Sequence, residues 1–160
     1  AEKYGKKPIG WDPIDTSPEI NSNVILQNWK DSNEEAVKKQ MSMVISIASK
    51  AYLDMKYNEE TPYGLNWAGY IPVDVAYKWD PTEYAPENLV LGIAPLWTAT
   101  IATQDEMDYM IYPRLPGYAE IAWTSKESRN WDEYKVRLKN QGVRMEYEGI
   151  NYYKDPSIWN

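Results

Sequence analysis

Tyr52, Asp54, Trp67 and Trp97 are the residues of this chain best suited to chemistry. They lie in "YLDMKYNEETPYGLNWAGY" (52–70) and "PLWTAT" (95–100), stretches whose Asn, Pro and Gly residues predict loops rather than a core. An indole face packs on the apolar C–H face of a pyranose ring, while a phenol and a carboxylate hydrogen-bond its hydroxyls or an amide substituent. The set therefore suits a sugar. Trp11 and Trp29 extend it, because each ends a short apolar run of its own. The 160 residues include no histidine and no cysteine, so acid–base chemistry falls to carboxylates or Tyr, and thiolate chemistry is excluded. Scattered oxygens without His or Cys give no metal-ligand spacing, and neither a metal nor a cofactor is expected.

Other carboxylates read more simply as local structure. Asp12 and Asp15 in "WDPIDTSPEI" could form a carboxylate pair, but the Pro-punctuated run favours turn chemistry. Glu34-Glu35 and Asp105-Glu106 are first-turn helix charges. A single Trp at a strand end is more often a packing residue than a ligand contact, and the convergence of several brings the two readings level.

Four apolar runs must position these residues: "PIGW" (8–11), "NVILQNW" (23–29), "SMVISIAS" (42–49) and "NLVLGIAPLW" (88–97). Val24-Ile25-Leu26 and Met43-Val44-Ile45 are apolar on consecutive positions, as expected of parallel strands buried on both faces. Between the second and third runs, "DSNEEAVKKQ" carries a Ser32/Glu35 capping box and Lys38-Lys39 in the last turn, which completes a strand–helix–strand unit. A helix is predicted from a Thr103 cap through "QDEMDYMIYPRLPGYAEIAW", kinked or restarted at Pro113 and Pro116. A further helix is predicted over 131–145, with Trp131, Tyr134 and Leu138 on one stripe, and "GINYYKDPSIWN" reads as an extended tail. The pattern implies an α/β fold with a parallel sheet, in which ligands bind at the C-terminal ends of the strands. If the strands lie side by side, the Trp residues and Tyr52 and Asp54 meet there as one cup.

Composition narrows the function classes. Charged residues make up 26% and hydrophobic ones 43% of the chain, the balance of a globular protein. A net charge of −7 with only Lys6-Lys7 and Lys38-Lys39 as basic doublets argues against a nucleic-acid partner. No apolar run approaches the roughly 18 to 20 residues that span a bilayer, and Ala1 opens no targeting segment, so a soluble chain without a membrane partner is expected. Phe is absent while Tyr numbers 14 and Trp 8, a skew consistent with a simplified or engineered sequence.

In order along the chain, "IGWD", "YLDMKY", "TPYGLNWAGY", "WDPTEY", "APLWT", "DYMIYPRLPGYAEIAW" and "WDEYKVRL" resemble the C-terminal half of the catalytic barrel of glycoside hydrolase family 20, the β-N-acetylhexosaminidases. The resemblance covers nearly the whole chain and is closest to bacterial members. It implies a parallel (β/α) half-barrel, strands five to eight of a TIM-type (β/α)8 barrel, with residues 1–160 as a single partial domain. It implies a retaining reaction in which the substrate's own 2-acetamido oxygen is the nucleophile. By the resemblance, Trp11, Trp29 and Trp97 match the indoles that wall the acetamido pocket, and Tyr52 matches the catalytic Tyr whose hydroxyl donates to the acetamido carbonyl. Asp54 matches the Asp that binds a sugar hydroxyl, the 6-OH, and Trp67 another wall of that subsite.

The chain also departs from the family pattern. The family's adjacent Asp-Glu pair and its sugar-binding Arg fall before the stretch that this chain matches. Ala99 stands where the family usually has a Glu that anchors a sugar hydroxyl. "GIAPLW" is one residue shorter than the usual form, and such a deletion flips a strand's side chains unless a bulge absorbs it. The resemblance thus implies a hexosaminidase segment that binds N-acetylhexosamine-containing glycans but is inactive alone. An open sheet edge on each side implies pairing with the missing N-terminal half or a homo-oligomer. A secreted or cell-surface bacterial location rests on the resemblance alone. The competing reading is a non-catalytic scaffold or carbohydrate-binding remnant, and a third is an α/β domain whose aromatics are all core.

Overall fold

The computed structural model describes residues 1–92 and 94–160. They form two compact units, one of Ala1–Ala48 with Asp80–Ala94 and one of Ser49–Trp79 with Pro95–Asn160.

The first unit is a sheet with its crossover. β1 (Ile9–Trp11), β2 (Ile25–Asn28), β3 (Met43–Ile45) and β4 (Val90–Gly92) pair in that order, every pair parallel. Leu26 faces Met43 and Asn28 faces Ile45 in register, and all four are fully buried on one face. Ile25, Gln27 and Val44 on the other face are only half-buried, so the consecutive apolar run does not mark uniform burial on both faces. The outer strand β1 is the least covered, with Ile9 57% exposed. Between β3 and β4 the register slips, Met43 pairing with Val90 and Val44 with Gly92, which leaves one extra residue on β4. An irregularity of this kind restores side-chain parity after a one-residue deletion. Ile93, within the run read as one residue short, lies outside the described residues.

α1 (Glu34–Lys38) joins β2 to β3, but the Ser32/Glu35 capping box does not form. Asn33 is the N-cap residue and makes no capping bond, because its side-chain amide donates to Asn28 Oδ1 at 3.1 Å and to the Tyr84 carbonyl at 2.8 Å. Glu35 instead pairs with Lys38 at 2.7 Å. The Lys39 ammonium donates to the carbonyls of Asp15 and Ser17 at 2.6 and 2.7 Å, closing the turn after β1.

The second unit is helical around a core of tyrosines. α2 (Ala48–Ala51) leads to α3 (Val73–Lys78), α4 (Gln104–Ile111), α5 (Arg114–Trp123), α6 (Trp131–Tyr147) and α7 (Pro156–Trp159). Thr103 caps α4 as expected, its Oγ accepting from Glu106 N at 3.2 Å. The helix stops at Ile111 and restarts at Arg114, just past Pro113, since proline offers no N–H to the preceding turn. α6 begins where Asn130 Oδ1 accepts from the N–H groups of Asp132 and Glu133, and it buries Tyr134 and Leu138 on the stripe that also carries Trp131.

The core holds Tyr57, Tyr77, Tyr134 and Tyr152 with Met110, Leu138, Met145 and Ile158. Tyr77 stacks on Tyr134 at 4.1 Å, planes 8° apart, and donates its hydroxyl to Glu120 at 2.6 Å. The Tyr118 hydroxyl reaches the Lys50 carbonyl at 2.6 Å. The phenols of Tyr57, Tyr77 and Tyr118 donate to polar groups, work that Phe cannot do, whereas the buried Tyr134 hydroxyl has no hydrogen-bond partner among the described residues. The segment 149–160 corrects the expectation of an extended tail. Asp155 caps α7 through Ser157 N at 2.8 Å, and Tyr152 and Ile158 are buried in the aromatic core.

Candidate functional site

In the first unit, Trp11 is the last residue of β1 and 40% exposed, and half-buried Trp29 comes directly after β2. Asp12 fixes the chain beside both. Its Oδ2 accepts from Asn28 Nδ2 at 2.9 Å, from Trp29 N at 2.8 Å and from Lys30 N at 3.3 Å. Asn28 is wholly buried and passes the network on to Asn33. The Lys30 ammonium lies 4.9 Å from the centre of the Trp29 ring, within cation–π range. Asp12 therefore does more than the turn chemistry read from the sequence, because its carboxylate joins the ends of two strands.

In the second unit the structure brings four of the predicted residues together. The Tyr52 ring lies edge-on to Trp67 at 5.9 Å and tilted against Trp97 at 6.2 Å. Tyr52 is 5% exposed whereas Trp67 and Trp97 are 56% and 44% exposed, so the phenol sits at the base of an open indole pair. Backbone bonds lock the two segments that carry them: Leu53 N donates to the Pro95 carbonyl at 3.0 Å, and the Trp97 N–H donates to the Asp54 carboxylate.

Asp54 is 2% exposed, and its Oδ1 has no hydrogen-bond partner among the described residues. Burial pushes its pKa above the ordinary aspartate value. Backbone donors from Asp54 itself and Trp97, and the charge of Arg114, pull it only part of the way back. A buried carboxylate with one unsatisfied oxygen is costly unless it receives a donor. A sugar hydroxyl is such a donor.

The stretch that looked like a loop is a folded platform. Met55 bridges Leu65, Leu65 N donates to the Asp54 carbonyl at 2.8 Å, and Ile71 N donates to the Lys56 carbonyl at 2.8 Å. Asn58 and Thr61 bond each other, and Asn58 also reaches the Tyr153 hydroxyl at 3.1 Å. Ala99, beyond Trp97, is exposed and offers no side-chain donor or acceptor.

Sequence reasoning missed Arg114, which is 1% exposed and donates to four backbone carbonyls. A signal existed: it is the lone cation in the apolar run "MIYPRLPGY". Among the described residues no group of three acidic, His or Cys side chains could hold a metal, and no helix is long and apolar enough to cross a membrane.

The glycosyl hydrolase family 20 catalytic-domain model matches residues 1–126. A β-N-acetylhexosaminidase of Cellulomonas fimi is 34% identical over 164 residues, covering 96% of this chain and 33% of its own length. The Streptomyces coelicolor β-N-acetylhexosaminidase superposes with a TM-score of 0.90 at 40% identity, over 99% of this chain and 34% of the other. The Streptomyces plicatus N-acetyl-β-hexosaminidase, solved in complex with Thio-NAglucal, gives 0.90 at 39% identity. The chain thus spans about a third of the length of these relatives.

Proposed function

Since the chain belongs to glycosyl hydrolase family 20, we propose that it is the segment of a retaining β-N-acetylhexosaminidase that grips the acetamido sugar, with β1 to β4 as barrel strands five to eight and residues 1–160 as one partial domain. The substrate is a glycan ending in β-linked N-acetylglucosamine or N-acetylgalactosamine. Its 2-acetamido oxygen attacks the anomeric carbon as the glycosidic C–O bond breaks, the aglycone leaves with a proton from an acid that the rest of the enzyme supplies, and water then opens the oxazolinium ion to restore the acetamido group. Tyr52 donates its hydroxyl to the acetamido carbonyl, orienting that oxygen for attack, and Trp67 and Trp97 supply apolar walls that restrict its motion. Asp54 accepts from a sugar hydroxyl. Trp11 and Trp29 hold the role of acetamido-contacting indoles on the strength of the motifs that carry them.

The observation that carries this reading is the pairing of Tyr52, set between two exposed indoles, with the unsatisfied buried oxygen of Asp54 two residues along. Calorimetry with an N-acetylglucosamine-derived thiazoline tests it. Binding by the full chain, weakened about fivefold by Tyr52→Phe through loss of one hydrogen bond, is the expected result. No heat of binding from the wild-type chain overturns the reading.

A second reading keeps sugar binding without catalysis, and the acid residues favour it for the chain by itself. The two adjacent Asp-Glu pairs, Asp105-Glu106 and Asp132-Glu133, lie in the first turns of α4 and α6, and Glu106 accepts from Ala102 N at 2.7 Å. The 160-residue chain alone is therefore expected to leave an aryl β-N-acetylglucosaminide at its buffer hydrolysis rate. Turnover by the pure chain would sink that expectation. Pairing with a further half-barrel or with a second copy is the accompanying proposal, checked by sedimentation.

A further inference from the structure

Arg114 is buried to 1% exposure yet carries a permanent charge, so something must repay its desolvation. Its guanidinium Nη2 donates to the carbonyls of Leu53 and Met110, both at 2.6 Å, and Nη1 donates to Met55 O at 2.8 Å and Ile71 O at 3.4 Å. Its carbon lies 4.0 Å from the centre of the Tyr57 ring, whose own hydroxyl stands within 3.1 Å of the Tyr109, Met110 and Tyr112 carbonyls. The carbonyls of Tyr109 and Met110 belong to the last turn of α4, which has no further helical N–H to accept from and attracts a cation. One arm of the guanidinium is thus anchored on a helix end. Two of the other contacts fall on the residues immediately before and after Asp54.

We propose that Arg114 is a positioning residue for sugar binding, its rigid fork holding the Leu53 and Met55 carbonyls so that the Asp54 carboxylate between them, and Tyr52 beside it, face the ligand. This rests on the sugar-binding reading above and adds to it the group that sets the geometry. The guanidinium never touches the sugar. Its action is to remove backbone freedom on both sides of the acceptor, and its charge also opposes the burial that lifts the Asp54 pKa. Lysine cannot replace it, because one ammonium cannot span carbonyls that lie on two sides of a planar fork.

The test is a binding cycle on the full chain with the N-acetylglucosamine-derived thiazoline, using Arg114→Lys, Asp54→Asn and the double variant, each checked for wild-type far-UV circular dichroism. Arg114→Lys is expected to bind about tenfold more weakly than wild type, the effect of losing charge-assisted contacts that orient the acceptor. In the Asp54→Asn background the same change should cost less than about twofold, since its effect runs through Asp54. In Arg114→Ala, added guanidinium ion at low millimolar concentration should recover part of the affinity. Equal losses in both backgrounds, or wild-type affinity in Arg114→Lys, overturn the inference while leaving the sugar-binding reading intact. Unfolding of Arg114→Lys would assign the residue to the core alone and also overturn it. Failure of the wild-type chain to bind overturns the reading beneath it and this inference together.

Discussion

No side chain fits between Gly64 and the backbone carbonyl of Asp54: a Cβ at Gly64 would run into that oxygen and come within 2.6 Å of Met110 Cε. Gly64 also holds φ at +84°, the left-handed region that an L side chain enters only at a cost. Gly64→Ala is expected to destabilise the chain by about 2 kcal/mol or more, roughly half from backbone strain and the rest from displacing the Asp54 carbonyl. Gly69 is the control. It has φ +95° but nothing within 4 Å of its Cβ position, so Gly69→Ala should cost only about 1 kcal/mol. Urea unfolding of both variants checks the difference, and equal midpoints would refute the steric part.

Asp54→Asn should stabilise the fold while weakening sugar binding. Burial raises the folded-state pKa of Asp54 above its unfolded value, so the folded chain holds that proton more tightly. Below the ordinary aspartate pKa both states are protonated and nothing is lost. As pH rises through the window between the unfolded and the raised folded pKa, stability falls, and the full loss applies at neutral pH. Asparagine keeps an oxygen for the Trp97 N–H and removes the charge. The urea midpoint of Asp54→Asn should exceed that of wild type at about pH 7 and converge on it near pH 3, with thiazoline affinity reduced at neutral pH. A variant less stable than wild type at neutral pH would contradict the assignment.

The parts of the fold that the sequence made legible are those set by local chemistry. The Thr103 cap with acidic residues behind it, the break at Pro113 and the stripe of Tyr134 and Leu138 all depend on neighbours within a turn or two. The parts it hid depend on distant partners. Ser32 and Glu35 have the spacing of a capping box, but Asn33 bonds Asn28 and Tyr84 instead, 5 and 51 residues away. The segment 149–160 is polar enough to read as a tail, and only docking of Tyr152 and Ile158 on the aromatic core folds it. At the candidate site, residue types pointed to Tyr52, Asp54, Trp67 and Trp97. Arg114 shows in the sequence only as a lone cation in an apolar run, and its partners stay hidden because they are carbonyls that every residue possesses.

Asp12→Ala removes an acceptor that three N–H groups share. Trp29 N, Lys30 N and the Asn28 amide would lose it together, and Asn28 is wholly buried. The Asn28 amide keeps the Lys30 and Ser32 carbonyls and exposed Lys30 turns to water, so the cost falls mainly on the two strand ends that the carboxylate joins, and a loss of about 1–2 kcal/mol is expected. Asp12→Asn, which keeps one oxygen, should lose about half as much. Equal losses in the two variants, read from urea midpoints, would mean that the carboxylate acts through packing rather than through its acceptor oxygens.

Gly142 sits in the interior of α6, where alanine is normally better by about 0.5–1 kcal/mol. Here the opposite sign is expected. A Cβ at Gly142 would stand 2.5 Å from Trp159 Nε1 and 3.0 Å from the Tyr152 hydroxyl, so the glycine is the seat on which α7 packs. The Trp159 ring can move, but only by loosening the helix that buries Ile158, which is 3% exposed. Gly142→Ala should therefore cost about 1–2 kcal/mol net, the strain of overpacking outweighing the gain in helix propensity. The same substitution in a Trp159→Ala background should turn neutral or stabilising by up to about 1 kcal/mol, because the obstructing ring is gone and propensity decides. Guanidinium unfolding of the wild type, both single variants and the double variant gives both differences, and a destabilisation that persists without Trp159 would place the constraint on Tyr152 instead.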